Sequence, residues 1–405
     1  MIRRRHVFYI AGYDPQGVPG YYRLFRRELT RFQKLWPVAA AVSEPKIDAA
    51  GSSARWRIET AGRGWCVETT YEFLRWDDIV ARNLRRPIFV LLPRTLICLI
   101  ENAWNGTILR IFRASWRFGV FYLASSAVLA AIYAAVIALG WLAYLFTRGA
   151  IGGIVVPLGA AVAVGGILSV LARSICTRWF VTRLCDLWVW HQDLAHGRCP
   201  DVVARVDDFA RRIIAKARAG DADEVLVVGH SAGATIAVQA IARALELDSG
   251  FARAGSPVTL AALGSNLPLA ALHPNAQDVR QAIRRIAIEP SLVWVDCQAR
   301  KDMMNFQGCD MVKGLCVDAG PQQCNPLYWN VRFREGISSQ FYSRLRWNFF
   351  RMHFQFIMAN DQRAPYDYFM IACGPLPLLD WARDARKALS RFAEDASCLI
   401  ETASG

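Results

Sequence analysis

Two long stretches without a charged residue constrain this chain more than any other feature of its sequence. The first runs over Phe118–Thr147 and the second over Ile151–Ala172, with Arg148 between them. Each stretch exceeds the roughly 20 residues that a membrane-spanning helix needs. Helices buried in a soluble core rarely stay uncharged on every face over such a length. The stretches therefore predict a transmembrane helical hairpin over residues 118–172.

The positive charge of the chain predicts the orientation of this hairpin and the surface that it contacts. Arginines on both outer flanks outnumber the one in the turn: Arg110, Arg113 and Arg117 precede the first stretch, Arg173, Arg178 and Arg183 follow the second, and Arg148 lies between. Because cytoplasmic segments carry the excess of Lys and Arg, we expect both termini in the cytoplasm of a bacterial inner-membrane protein. The net charge of +14 favours contact with anionic membrane lipids. The sequence contains no nucleic-acid-binding motif that would explain this charge. It does not predict an oligomeric state.

An even number of spans leaves both flanking halves on one side of the membrane, where they can fold together. We predict an N-terminal half over residues 1–85 and a C-terminal half over 201–405. A helix along the membrane surface is expected over 86–117, with a partly buried soluble helix as the alternative, and a juxtamembrane helix is expected over 173–200. Short apolar segments such as "HVFYIAG", "EVLVV", "VTLAALG" and "SLVWVD" alternate with amphipathic ones. This pattern predicts an α/β fold with a mostly parallel sheet flanked by helices.

One of these apolar segments leads into a Gly-x-Ser-x-Gly motif. Residues 229–233 read Gly-His-Ser-Ala-Gly, after "VLVV" and before "ATIAVQA". The five letters alone are common by chance, but a buried strand before Ser231 and a helix after it are what a nucleophile elbow requires. Gly229 and Gly233 would let strand and helix meet at a sharp turn. The alternative interpretation is a serine that only caps a helix, as in nucleotide-binding turns.

The motif and its flanks resemble the nucleophile elbow of the α/β-hydrolase superfamily, especially lipases and esterases. The resemblance implies a Ser-His-Asp triad in the chain order Ser, Asp, His, with Ser231 as the nucleophile. Two histidines follow Ser231, and His273 comes before the strand that should precede the acid. His353 is therefore the expected base, and His230 is expected to form a wall of the site.

The same resemblance implies an acid in the loop that follows the strand "SLVWVD". Asp302 matches this position best, Asp296 at the strand end is the alternative, and Asp310 is a further one. An oxyanion hole would combine the amide of Ala232 with an amide from the loop "AGYDPQG". In that loop Gly12 allows close approach and Tyr13 is the expected donor, although the loop departs from the His-Gly pattern common in lipases.

No cofactor or metal is expected. The eleven cysteines include no C-x-x-C pair, and a cytoplasmic domain keeps its thiols reduced. His191 and His196 lie five residues apart but lack an evident third ligand for a metal.

These features predict a membrane-anchored serine hydrolase that cleaves an ester of a lipid or another apolar acyl group. Two alternatives stay open at this level. The same triad could transfer the acyl group to an alcohol or amine instead of water, or the chain could be a membrane scaffold that kept the fold without the chemistry. The sequence identifies neither the substrate nor the role of residues 303–350.

Overall fold

The strands of the chain form one nine-stranded sheet with a parallel centre and an antiparallel edge. The computed structural model describes residues 1–149 and 153–399. In chain order the strands are β1 (Arg4–Ile10), β2 (Ala39–Val42), β3 (Lys46–Ile47), β4 (Ser53–Gly62), β5 (Trp65–Leu74), β6 (Glu224–His230), β7 (Val258–Leu263), β8 (Leu292–Ala299) and β9 (Leu327–Val331).

The strand order is β2-β4-β5-β1-β6-β7-β8-β9, and β3 pairs with β4. From β5 to β9 every neighbouring pair is parallel, whereas β2, β3 and β5 each pair antiparallel with β4. The predicted α/β class with a mostly parallel sheet is therefore confirmed, and the sheet is mixed because its N-terminal edge folds back on itself. Every residue of β6 and β7 is buried, as expected for parallel strands covered on both faces.

Some helices pack on this sheet, and others belong to a separate unit. They are α1 (Gly17–Leu35), α2 (Asp77–Leu84), α3 (Ile88–Trp104), α4 (Thr107–Ala114), α5 (Trp116–Thr147), α6 (Val155–Arg178), α7 (Val181–Ala195), α8 (Pro200–Ala219), α9 (Ala232–Leu247), α10 (Leu267–Ala271), α11 (Gln277–Ala287), α12 (Phe333–Gly336), α13 (Ser339–Leu345), α14 (Phe349–His353), α15 (Tyr368–Cys373), α16 (Leu378–Arg383) and α17 (Ala385–Ser390). Short 3₁₀ turns occupy Lys313–Leu315, Gly320–Gln322 and Phe354–Ile357.

The chain divides into two units. One comprises Met1–Ala81 and the described part of Ala195–Gly405, and it holds the whole sheet. Its core joins Val7 and Tyr9 of β1 to Phe25 of α1 and to the C-terminal helices. The second unit is Arg82–Leu194.

Two helices of the second unit, α5 and α6, are long and apolar enough to cross a membrane. They approach each other closely: a Cβ added at Gly140 of α5 would lie 3.3 Å from the carbonyl oxygen of Ala161 in α6. Small residues at such a contact let helices meet in lipid, where burial of apolar surface does not drive association. The predicted pair of apolar helices is thus present, while its topology and membrane stay predictions.

Several predicted boundaries differ from the structure. Of the predicted hairpin, residues 150–152 lie outside the described residues, and so do residues 400–405 of the predicted C-terminal half. Residues 86–117 hold α3 and α4, and 173–200 hold the end of α6 and all of α7; their location at a membrane surface stays a prediction.

The closing helix expected over "PLLDWARDARKALSRFAED" is instead two short helices, α16 and α17. Asp384 lies between them in an extended conformation, and its carboxylate accepts the amides of Arg386 and Lys387. An aspartate that caps a new helix in this way ends the previous one.

Candidate active site

Ser231 occupies a strained turn between β6 and α9. Its backbone has φ 58° and ψ −124°, a region that residues with a Cβ rarely adopt. A Cβ on Gly229 would lie 2.5 Å from the Cα of Ala234, and one on Gly233 would lie 2.2 Å from the carbonyl oxygen of Ile10. Both positions therefore require glycine. The sequence motif forms the sharp strand-to-helix turn that its spacing predicted.

His353 and Asp302 are joined by a short hydrogen bond. His353 ends α14, Asp302 lies in the loop after β8, and each is only 2% exposed. The Nδ1 of His353 donates to Oδ2 of Asp302 at 2.7 Å, while Oδ1 accepts the amide of Met304 at 2.8 Å. This bond fixes the imidazole in the tautomer whose Nε2 can accept a proton. That Nε2 is buried and has no hydrogen-bond partner among the described residues.

The environments of Ser231 and His353 meet at the carboxyl ends of β6 and β7. The amide of Ser231 donates to the carbonyl of Leu263 at 2.9 Å. The next residue, Gly264, packs on the imidazole, since a Cβ added there would lie 3.1 Å from Cε1 of His353. His230 precedes the serine, and its ring centroid lies 4.7 Å from that of His353. The structure thus brings the serine, the histidine and the aspartate to one edge of the sheet.

The side chain of His230 supports the ring of His353. Its Nε2 donates to the backbone carbonyl of His353 at 3.3 Å. Burial, and secondarily the neighbouring imidazole, hold the pKa of His230 well below its ordinary value. His230 is therefore neutral at pH 7, and its ring lies beside that of His353.

Asn266, which sequence reasoning missed, contacts Ser231 directly. Its Nδ2 donates to Oγ of Ser231 at 3.2 Å, and its amide donates to the carbonyl of the same serine at 3.3 Å. Asn266 is 1% exposed, and its Oδ1 has no partner among the described residues. The available signal was a polar residue two positions after the apolar segment "VTLAALG", since the carboxyl ends of parallel strands collect functional side chains.

The structure separates the two candidate acids. Asp296 lies within β8 and is fully buried; its Oδ1 accepts from Nε2 of Gln298 at 2.9 Å. Its Oδ2 has no partner in the described part of the chain. Burial raises the pKa of Asp296 to about 7. Asp302, not Asp296, is the carboxylate hydrogen-bonded to His353.

Asp310, the further candidate acid, and His273, the other histidine after Ser231, bind other groups. Asp310 accepts the amides of Val312 and Lys313 through its Oδ1. The imidazole of His273 accepts the amide of Asn275 at 3.2 Å and packs against His196. Neither side chain takes the place of Asp302 or His353.

The loop after β1, from which the second oxyanion donor was expected, lies against Ser231. Strands β1 and β6 pair in parallel with Ile10 opposite Gly229, so the loop reaches the start of α9. A Cβ on Gly12 would lie 3.0 Å from Cβ and 3.5 Å from Oγ of Ser231. Next to it, the buried ring of Tyr13 packs edge-on against Trp76 at 5.8 Å. Ala232 is the first residue of the 16-residue helix α9, whose N terminus favours negative charge.

The two histidines considered for a metal have other partners. Nδ1 of His191 donates to the carbonyl of Leu187 at 2.9 Å, and Nδ1 of His196 accepts from the amide side chain of Asn275 at 3.0 Å. Burial lowers the pKa of His191 to about 4.

At one sheet edge the structure holds a serine in a strained turn and an imidazole that is hydrogen-bonded to a carboxylate. The other nitrogen of this imidazole has no partner among the described residues. Such a set of groups is able to take a proton from a hydroxyl. The chain was compared with protein-family models, curated proteins and solved structures, and none of them matches it. Any chemical interpretation of the site therefore rests on its geometry.

Proposed function

We propose that the chain is a membrane-anchored serine hydrolase of the α/β-hydrolase type, in which Ser231, His353 and Asp302 cleave an apolar acyl ester. The observation that carries this proposal is the pairing of a strained serine turn with the 2.7 Å His353–Asp302 bond. A helix cap would not require the strained φ of Ser231, because capping residues adopt ordinary extended conformations. Nor would a cap require a buried imidazole oriented by a carboxylate.

The arrangement of the sheet supports the same interpretation. Ser231 follows β6, Asp302 follows β8, and the chain order is Ser, Asp, His. Neighbouring β1 and β7 each contribute a loop to the serine, through Gly12 and Asn266. In open α/β sheets, the crevice at the carboxyl ends of the strands is where ligands bind.

The chemistry follows from the groups present. Oγ of Ser231 attacks the carbonyl carbon of the ester while its proton passes to Nε2 of His353, and Asp302 stabilises the resulting imidazolium. The negative charge on the former carbonyl oxygen is bound by the amide of Ala232 and by an amide of the loop at Gly12 and Tyr13. The tetrahedral intermediate expels the alcohol, which takes the proton from His353. Water then attacks the acyl-enzyme with His353 again as base, releasing the carboxylic acid and regenerating Ser231.

Asn266 has a defined part in this sequence. By donating to Oγ of Ser231, its amide occupies one lone pair of that oxygen and leaves the hydroxyl proton to point elsewhere. The hydroxyl can then donate to Nε2 of His353, which lacks another partner among the described residues. Asn266 is thus a positioning residue for the nucleophile.

The apolar nature of the substrate is inferred from the two helices that are apolar enough to cross a membrane. A protein held at a bilayer meets lipid esters at high local concentration. We infer a cytoplasmic location for the catalytic residues from the arginines that flank both helices.

Ester hydrolysis by the purified full chain in detergent micelles tests the proposal. We expect p-nitrophenyl decanoate to be cleaved faster than the acetate, and Ser231→Ala and His353→Ala each to lower kcat by about 10⁶-fold. His273→Ala is the matched control, because it removes a buried histidine from outside the triad. Cleavage by Ser231→Ala at the wild-type rate would contradict the proposal.

A further inference from the structure

A wide polar cavity lies on the sheet at the end opposite to the triad. Its volume is about 1080 Å³. It covers one face of β1, β4 and β5 near the start of β1, with α8 along one side. We call it the basic trough and define it by Arg4, His6, Lys46, Arg57, Glu68 and Glu72.

The trough exists because these strands have one apolar and one polar face. In β4, exposed Arg55 and Arg57 alternate with buried Trp56 and Ile58. The apolar side chains belong to the main core, so the alternate positions point away from it. Elsewhere the sheet is buried on both faces, as in β6 and β7. The open, charged face is therefore confined to the part of the sheet that contains β4.

Most acidic side chains of the trough already have cationic partners. Glu72 is bonded to His6 at 3.2 Å, to Arg55 at 2.7 Å and to Arg212 at 3.2 Å. Burial raises the pKa of Glu72, but the hydrogen bonds and charges of His6 and Arg55 outweigh burial and bring this pKa down to about 2. Asp48 is paired with Arg212 at 2.6 Å, and Lys216 is paired with Asp221 at 2.7 Å.

Three cations of the trough form no side-chain ion pair in the described part of the chain: Arg4, Lys46 and Arg57. The charge of Arg4 nevertheless helps to lower the pKa of nearby Asp223. Among the acidic residues that line the trough, Glu68 likewise makes no ion pair with a described residue. Strand register brings the two arginines together: Arg57 lies opposite Thr70, which lies opposite His6, two residues from Arg4. Their Cα atoms are about 12 Å apart at ordinary strand spacing, a gap that two extended arginine side chains can close.

We propose that the basic trough binds a phosphate-bearing compound with at least two negative charges. Guanidinium and ammonium groups hold phosphate oxygens through charge-assisted hydrogen bonds, and arginine does so with two parallel donors. The cavity is at the upper end of the volumes of ligand sites, so it accepts a compound larger than a single phosphate. The trough lies at the amino end of β1 and the triad at the carboxyl ends of its neighbours, so this binding is separate from the proposed hydrolysis.

Calorimetric titration of the full chain in detergent with inorganic pyrophosphate, at fixed ionic strength, tests this site. We expect saturable binding by the wild type and at least about tenfold weaker binding when Arg4→Ala, Lys46→Ala and Arg57→Ala are combined. The matched control combines Arg23→Ala, Lys34→Ala and Arg344→Ala, which removes the same charges from exposed positions outside the trough. The control is expected to bind within about twofold of the wild type.

Glu68→Gln gives a test that does not depend on removing cations. It deletes the acid that has no ion-pair partner, and we expect tighter pyrophosphate binding by about twofold or more. No binding by the wild type, or equal weakening in both triple variants, would overturn the proposal.

A second arm distinguishes a soluble ligand from a lipid head group. The titration is repeated in nanodiscs of phosphatidylcholine with and without phosphatidic acid. Equal pyrophosphate binding in both supports a soluble phosphate compound, whereas weaker binding with phosphatidic acid supports a phosphate-bearing lipid in the same trough. If pyrophosphate binds in neither kind of nanodisc, both the soluble-ligand and the lipid form of the proposal are contradicted.

Discussion

The burial of Asp296 leads to a quantitative prediction about how the stability of the fold depends on pH. Its carboxyl group is fully buried in β8, and one oxygen has no hydrogen-bond partner among the described residues. Burial raises its pKa from the ordinary 3.8 to about 7. Since one pKa unit corresponds to about 1.4 kcal/mol, ionisation of this group weakens the folded state by up to about 4 kcal/mol. Asp296→Asn keeps the shape and an acceptor for Gln298 but cannot ionise.

The sign of the pH dependence follows from which state binds the proton more tightly. The folded chain holds the proton of Asp296 up to about pH 7, while the unfolded chain releases it near pH 4. Stability is therefore fully present below about pH 4, declines as the pH rises toward 7, and stays reduced above it.

Thermal unfolding of the full chain in detergent, followed by tryptophan fluorescence, measures this effect. We expect similar midpoints for wild type and Asp296→Asn at pH 4.5, and a more stable variant at pH 8. The variant should also retain ester hydrolysis, because the carboxylate that accepts the hydrogen bond of His353 belongs to Asp302. A stability difference that does not change with pH would refute the reasoning about burial, and loss of hydrolysis would refute the assignment of the acid.

Three further predictions concern the site itself. Asp302→Asn should lower kcat by about 10³- to 10⁴-fold with little change in KM, because the amide no longer fixes the tautomer of His353; steady-state kinetics would refute this if kcat were unchanged. Asn266→Ala should lower kcat about tenfold by removing one hydrogen bond to Ser231, and the same assay would contradict it if only KM rose. Gly233→Ala should destabilise the fold by about 3 kcal/mol or more, because its Cβ would overlap the carbonyl of Ile10; an unchanged melting temperature would be inconsistent with the tight turn.

Local patterns made part of this account predictable from sequence. The glycines around Ser231 and the apolar strand before it indicated the turn, because a strand-to-helix reversal is fixed by neighbouring residues. Likewise, the two uncharged stretches indicated α5 and α6, because crossing a membrane requires a continuous apolar length.

Long-range contacts were not predictable in the same way. Asn266 reaches Ser231 only because β7 pairs with β6, and that pairing leaves no mark in either segment. The choice between Asp296 and Asp302 also required the position of α14, which carries His353. Similarly, the antiparallel edge around β4 depends on pairings between strands, and alternation of apolar residues does not specify which partner a strand takes.

The most direct test of the account is labelling with a fluorophosphonate, which reacts with an activated serine. Membranes containing the full chain are treated with the probe, and the labelled peptide is identified by mass spectrometry. We expect one modified residue, Ser231, with labelling abolished in Ser231→Ala and strongly slowed in His353→Ala. Unlabelled wild-type protein that is folded, or labelling that persists without Ser231, would contradict the claim that this serine is a nucleophile.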